Sequence, residues 1–196
     1  EMMGERGMWF KQCFWEWSAR VPLVISDGRA AKNIRIDANS SLVDLLPTFI
    51  DFGGQDTALL LPAIAELAGH SLMPLLTGDA STAADYVIAD YLAIGPCVPC
   101  RMVKKGPYKY IFTHGHPDLL FDLKADPDER VNLAEDASNA PILATLRKIG
   151  MDSYDPDMLM TKIIASQRRR SFIAKVPGQK PDWDYVAFQG DAERYV

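Results

Sequence analysis

Histidine and cysteine are both scarce in this chain, three residues of each among 196. That scarcity narrows the chemistry. A structural zinc site asks for four Cys or His ligands at short spacing. The one close cysteine pair, Cys97-Val98-Pro99-Cys100, has no second pair nearby. Its prolines favour a turn over the helix start that a reactive dithiol occupies. With Cys13 the count is odd and without framework spacing, which fits free thiols in a reducing, cytoplasmic setting. His114-Gly115-His116 runs into Pro117 and reads as a solvent-facing loop end, not a metal pair. His70 reads as a loop hydrogen-bonder. No apolar run reaches the roughly 18 residues that suggest a membrane span. Positive charge is in deficit: 21 Lys and Arg against 26 Asp and Glu leave a net charge of −5. That argues against a nucleic-acid partner, whose phosphates need a basic surface. The run Arg168-Arg169-Arg170 is a local exception and reads as a solvated helix face.

What the chain does have is apolar content, 48% of its residues, enough to fill a core. Residues 1–20 read as a loop rich in Gly, Met and Trp. Val21-Pro22-Leu23-Val24-Ile25-Ser26 is a short continuous apolar run, the pattern of a strand buried on both faces. Ser40 or Ser41 is placed to cap a helix over 42–52 with an apolar stripe at Leu42, Leu45, Leu46, Phe49 and Ile50. Pro47 falls inside it, so the helix either kinks or restarts there, and Gly53-Gly54 ends it. Leu59–Ala68 has the look of a short helix, and Gly69–Gly78 that of an ordered loop. Ala83–Leu92 admits either a strand or a helix. Arg101–Phe112 reads as a hairpin around Lys105-Gly106-Pro107, Leu119–Leu123 as a third strand, and Ile142–Ile149 as a covering helix. Asp157–Lys175 reads as a longer helix with Leu159, Ile163, Ile164 and Phe172 as its buried stripe. Pro177–Val196 has little periodicity but holds Trp183, Tyr185, Phe188 and Tyr195, as a docking tail would. The expected class is α/β, in three parts: 1–95, the end of an α/β domain; 96–155, a small antiparallel sheet with its helix; and 156–196, a helix and tail.

Taken alone, Lys11 is only a lysine in a loop, and Arg20 only an arginine at the mouth of a strand. A run of motifs gives them context. Glu1-Met2-Met3-Gly4-Glu5-Arg6-Gly7-Met8-Trp9-Phe10-Lys11 leads to Ser18-Ala19-Arg20-Val21-Pro22. Next comes Ser41-Leu42-Val43-Asp44-Leu45-Leu46-Pro47-Thr48, followed by Gly69-His70-Ser71-Leu72-Met73-Pro74-Leu75-Leu76-Thr77-Gly78. Tyr108-Lys109-Tyr110-Ile111 and the segment from Leu120-Phe121-Asp122-Leu123 through Asp126-Pro127-Asp128-Glu129 to Asn132-Leu133-Ala134 complete the series. In order and spacing this resembles the sulfatase branch of the alkaline phosphatase superfamily. The tail, with Trp183-Asp184-Tyr185 and Glu193-Arg194-Tyr195, is similar to that of choline sulfatases, and so are Met8-Trp9-Phe10-Lys11 and Phe14-Trp15-Glu16.

The resemblance implies the closing part of a sulfatase α/β sandwich and hydrolysis of choline sulfate to choline and sulfate. It implies that Lys11 contacts the sulfate and leaving-group oxygens, where a fixed cation favours the transition state over the ground state. Arg20 would either order its loop or touch substrate. A trimethylammonium group donates no conventional hydrogen bond and is held by aromatic faces and carboxylates. Trp183, Asp184 and Tyr185 supply both, unless the aromatics only anchor the tail. Asp90, in Asp90-Tyr91-Leu92-Ala93, sits where choline sulfatases carry Glu-Tyr-Leu-Ala, which implies a carboxylate facing the cation.

The family's formylglycine arises from Cys-x-Pro-x-Arg, which this chain lacks. Its divalent metal (Ca, Mg or Mn) is held by an N-terminal carboxylate pair and an Asp-His that this chain also lacks. The chain is therefore expected to be the C-terminal portion of a larger, homo-oligomeric enzyme, inactive alone, with an apolar face exposed where Val21–Ile25 wants sheet neighbours. A phosphonate monoester or phosphodiester hydrolase and an arylsulfatase are alternatives on the same fold. A noncatalytic interaction module is the alternative of another class.

Overall fold

The computed structural model describes residues 1–28, 33–54, 67–79, 83–92 and 97–175. They fall into a unit over Glu1–Met160 and a second over Thr161–Val196.

The first unit opens with a small hairpin, β1 (Met2–Met3) paired antiparallel with β2 (Trp9–Phe10). Its connection is a 3-10 turn at Glu5–Gly7, entered and left through glycines at φ +115 (Gly4) and +71 (Gly7). Lys11 follows directly, and a single turn of helix, α1 (Glu16–Ala19), comes after it. The stretch that reads as plain loop in the sequence is thus a folded hairpin and turn.

Four strands form the main sheet: β3 (Tyr86–Tyr91), β4 (Cys100–Lys105), β5 (Tyr108–Thr113) and β6 (Leu119–Asp122), antiparallel and in sequence order. Lys105 pairs with Tyr108, so Gly106-Pro107 is a two-residue turn. Gly106 takes φ +54 ahead of a proline whose φ is fixed negative, the backbone order of a type II′ hairpin. β3 settles the strand-or-helix alternative for 83–92. It pairs along its whole length, Tyr86 with Lys105 through Tyr91 with Cys100. The small sheet therefore begins ahead of the boundary drawn at residue 95.

Both faces of the sheet are covered, so its inner strands carry adjacent apolar residues rather than a strict alternation. On one face Val103, Tyr110 and Leu120 pack with Leu146, Ile142, Leu143 and Ile149 of a helix, α4 (Ala140–Met151). Gly150 lets that helix approach: a Cβ there would stand 3.0 Å from Val103 Cγ2. On the other face Met102, Ile111 and Phe121 pack against Phe14 and Trp15, residues from the segment after Lys11. The stretch after β6 folds back on it. Leu120 N–H donates to Asn132 Oδ1 at 2.9 Å, and Leu133 N–H donates to Leu120 O at 2.8 Å.

A second cluster is built on α2 (Leu45–Phe52), which follows a 3-10 turn at Leu42–Asp44. The change of helix type puts Pro47 in the first turn of the α segment, where a missing N–H breaks no intrahelical bond. Buried Asp44 and Thr48 clip the Gly69 loop onto this helix. His70 N–H donates to Asp44 Oδ1 at 2.9 Å, and Leu72 N–H donates to Thr48 Oγ1 at 2.9 Å. The loop ends in a short helix, α3 (Met73–Leu76), with Leu75 and Leu76 buried.

Several expectations change. Val21–Ser26 pairs with no strand among the described residues, and Val24 is 89% exposed. A strand exists only through its partner's hydrogen bonds, and the described residues place none beside it. The stripe of α2 is likewise open at Leu42, Leu46 and Phe49. The last helix, α5 (Pro156–Lys175), half-buries Leu159, Ile163 and Ile164, but Phe172 is 71% exposed. Most of the Leu59–Ala68 helix and all of the 177–196 tail lie outside the described residues.

Candidate functional site

Lys11 stands at the exit of β2. Its side chain is 73% exposed, and the residues on either side, Phe10 and Gln12, hold left-handed backbone at φ +66 and +80. Side chains with a Cβ seldom adopt that region, and such strain persists only where the surroundings over-determine it. The ammonium pairs with the Glu1 carboxylate, and that hydrogen bond from Lys11 holds the Glu1 carboxyl below its ordinary value. Trp9, Phe10 and Trp17 are exposed around it. Arg20 closes α1, its N–H donating to Glu16 O at 2.9 Å, and its side chain is exposed.

The segments before and after Lys11 are held by groups that the sequence reading passed over. Lys109, on β5, is completely buried. Its ammonium donates to Phe14 O at 2.8 Å and pairs with Glu129 Oε1 at 2.8 Å and Glu16 Oε1 at 2.5 Å. The second Glu129 oxygen accepts from Glu16 N–H at 2.7 Å. Upstream, the Arg6 guanidinium donates to Asp128 O at 3.0 Å and to Glu129 O, and it stacks on the Trp15 ring at 3.8 Å. Trp15 meets Phe121 edge-on with centroids 5.4 Å apart. Lys109 lies on a strand beside Tyr110 and Ile111, where a charged residue is easily taken for the outward position of an alternating pattern. Its one signal is that the neighbours on both sides are large and apolar.

Asp90, on β3, is engaged by Arg101, which donates to both of its oxygens at 2.6 and 2.7 Å. Arg101 also reaches Gly150 O at 3.0 Å and lies over the Tyr154 ring at 3.8 Å. The Asp90 carboxylate is thus neutralised within the sheet. Lys11 and Asp90 each have their own partner, Glu1 and Arg101. Trp183, Asp184 and Tyr185 lie outside the described residues.

Cys97 and Cys100 are free thiols, one exposed and one buried, and burial pushes the Cys100 thiol up. His114 contacts Asp157 at 3.3 Å. Among the described residues no group of three or more His, Cys, Asp or Glu side chains is arranged to hold a metal ion. The donor set of the described residues does not fit a divalent cation. What the arrangement offers is a solvent-accessible cation on a strained, two-ended loop, suited to an anionic group.

Residues 4–153 match the family model of N-sulphoglucosamine sulphohydrolase, C-terminal. The choline-sulfatase of Rhizobium meliloti (strain 1021) is 34% identical over 201 residues, covering 100% of this chain and 38% of the relative. Arylsulfatase K of Gallus gallus is 31% identical over 68% of this chain and 26% of its own length. A solved structure of a protein in complex with its substrate D-glucosamine-2-N,6-O-disulfate has a TM-score of 0.61 at 25% identity, covering 79% of this chain and 33% of that one. The chain thus spans no more than 38% of the length of these relatives.

Proposed function

We propose that this chain, which belongs to the sulfatase family, serves the hydrolysis of a sulfuric ester, with choline sulfate as substrate and Lys11 as the cation that meets the sulfate group. Hydrolysis breaks the ester's S–O bond, delivers sulfate and returns the alcohol. Negative charge grows on the sulfate and leaving-group oxygens as that bond breaks. An ammonium fixed beside those oxygens lowers the barrier more than it tightens ground-state binding. The observation that carries the reading is the exposed Lys11 ammonium on a strained, anchored loop, where a sulfate group would displace the exposed Glu1 carboxylate.

Among the described residues, Lys11 supplies the anion-binding step. The formylglycine nucleophile and divalent cation that the family resemblance implies are not provided by the described residues, and the whole protein's turnover is part of the proposal. Choline as the alcohol is supported by the match to choline-sulfatase, which runs the whole length of this chain and over 38% of that relative. Trp183, Asp184 and Tyr185 are its proposed aromatic and acidic contacts. Asp90 is a weaker candidate, because a cation would have to compete with Arg101 for its carboxylate. An aryl sulfate is the second reading, supported by the likeness to Arylsulfatase K.

The test is Lys11→Met in the whole enzyme. We expect kcat to fall by about 10²–10³, the usual loss when one transition-state donor is removed, with the unfolding midpoint unchanged because the side chain is exposed. An unchanged kcat would remove Lys11 from the chemistry. Comparing kcat/KM for choline sulfate and nitrophenyl sulfate separates the two substrate readings.

A further inference from the structure

We propose that Lys109 is a positioning residue for the Lys11 loop, an inference that rests on the sulfate-binding reading of Lys11. Around it this sheet face carries Met102, Ile111 and Phe121, and its cross-strand neighbour Lys104 reaches out to Asn39 Oδ1 at 2.8 Å. An apolar side chain would pack there without preference of direction. A buried ammonium behaves differently: it is tolerated only where its donors are met. Lysine has three N–H donors, and Lys109 has an oxygen for each, from Phe14, Glu16 and Glu129. Two of those oxygens belong to the stretch just after Lys11.

The stretch before Lys11 arrives at the same place. Arg6 donates to the backbone carbonyls of Asp128 and Glu129, and it stacks on Trp15. Glu129 is therefore gripped three ways: its carboxylate by Lys109 and by Glu16 N–H, its carbonyl by Arg6. It holds φ +56 while doing so. The loop that carries Lys11 is thus fixed at both ends around Glu129, downstream by the buried ion pair and upstream by the Asp128 and Glu129 carbonyls. That double fixation accounts for how Phe10 and Gln12 keep their left-handed backbone. Lys109 touches no reacting atom and acts through the loop.

Two variants of the whole enzyme test this. Glu16→Gln weakens the link to the loop while leaving Lys109 and Glu129 paired. The triple variant Lys109→Met with Glu129→Gln and Glu16→Gln removes the buried cluster without stranding a carboxylate, so that the sheet still folds. Hydrogen exchange is followed over residues 2–17 and, separately, over β4 to β6. Binding of inorganic sulfate is titrated in parallel. We expect exchange of residues 2–17 to quicken by about tenfold, as for local opening, with the sheet unchanged and sulfate bound more weakly. Unchanged exchange of the loop overturns the proposal. So does loosening of loop and sheet together, which would make Lys109 an ordinary part of the core. If the unaltered whole enzyme binds no sulfate, the reading of Lys11 fails, while the exchange data still decide whether Lys109 holds the loop.

Discussion

Tyr110 and Lys109 are neighbours on β5, and they illustrate how differently adjacent residues are placed. Tyr110 turns to the helix-covered face, completely buried, and its O–H donates to Asp118 Oδ1 at 3.0 Å. Burial, reinforced by the Asp118 charge, raises the phenol above its ordinary value of 10.0. The sign of the consequence is definite. Above pH 10 the unfolded chain releases this proton while the folded chain retains it, so stability falls as pH rises toward the folded value. Denaturant unfolding between pH 9 and 11 should show this loss, and Tyr110→Phe should flatten it. At pH 7 the same variant should cost about 1 kcal/mol, the net worth of one hydrogen bond. Lys109 turns to the opposite face and meets carboxylates instead. Its role was not legible in the sequence, because its partners Glu16 and Glu129 lie far off along the chain and no local pattern announces them. The reading of Lys11 comes only from its motif, and the pairing of Asp90 with Arg101 was not legible because no local pattern links the two.

Helix α2 and the Gly69 loop show the same logic at the level of elements. Thr48 is fully buried, donates to Asp44 O at 2.6 Å and accepts from Leu72 N–H. The contact requires glycine at 69: a Cβ there would collide with the Val43 carbonyl and stand 2.8 Å from Asp44 N. Those are backbone atoms and cannot swing aside. Gly69→Ala should therefore destabilise the chain by about 3 kcal/mol, read as a lower unfolding midpoint. Thr48→Val should cost about 1–3 kcal/mol by leaving Leu72 N–H unmet. The helix and the ordered loop were each readable from local signals, caps and prolines included. That they close on each other through Asp44 and Thr48 was not, because the apolar stripe directed attention to a face that the structure leaves exposed.

Across the molecule, the mixed helices and antiparallel sheets belong to the α/β fold of the sulfatases. One region of exposed apolar surface is a groove. Leu23, Val24, Ile25, Leu45, Phe49 and Phe52 line a groove of about 590 Å³, and Phe49 is 62% exposed. Contiguous exposed apolar surface of this kind binds hydrophobic dyes and favours aggregation. The chain on its own should enhance the fluorescence of an anilinonaphthalene sulfonate dye. Val24→Lys with Phe49→Lys should weaken that signal while moving stability by no more than about 0.5 kcal/mol, as surface changes do. No helix among the described residues is long and apolar enough to cross a membrane.

By itself the sequence determined the elements whose signals are local. The hairpin over Arg101–Phe112, the strand at Leu119, the helices around 45–52, 140–151 and 156–175, and the family are written in periodicity, turn residues and motif spacing. Tertiary structure alone decided matters that depend on distant partners. It decided that β3 is a strand, because β4 pairs with it, and that Val21–Ser26 is not one, because nothing described pairs with it. It also decided that Lys109 is buried and Phe172 exposed. Periodicity reports what a residue prefers, whereas hydrogen-bond pairing and the burial of charge depend on which remote groups arrive beside it.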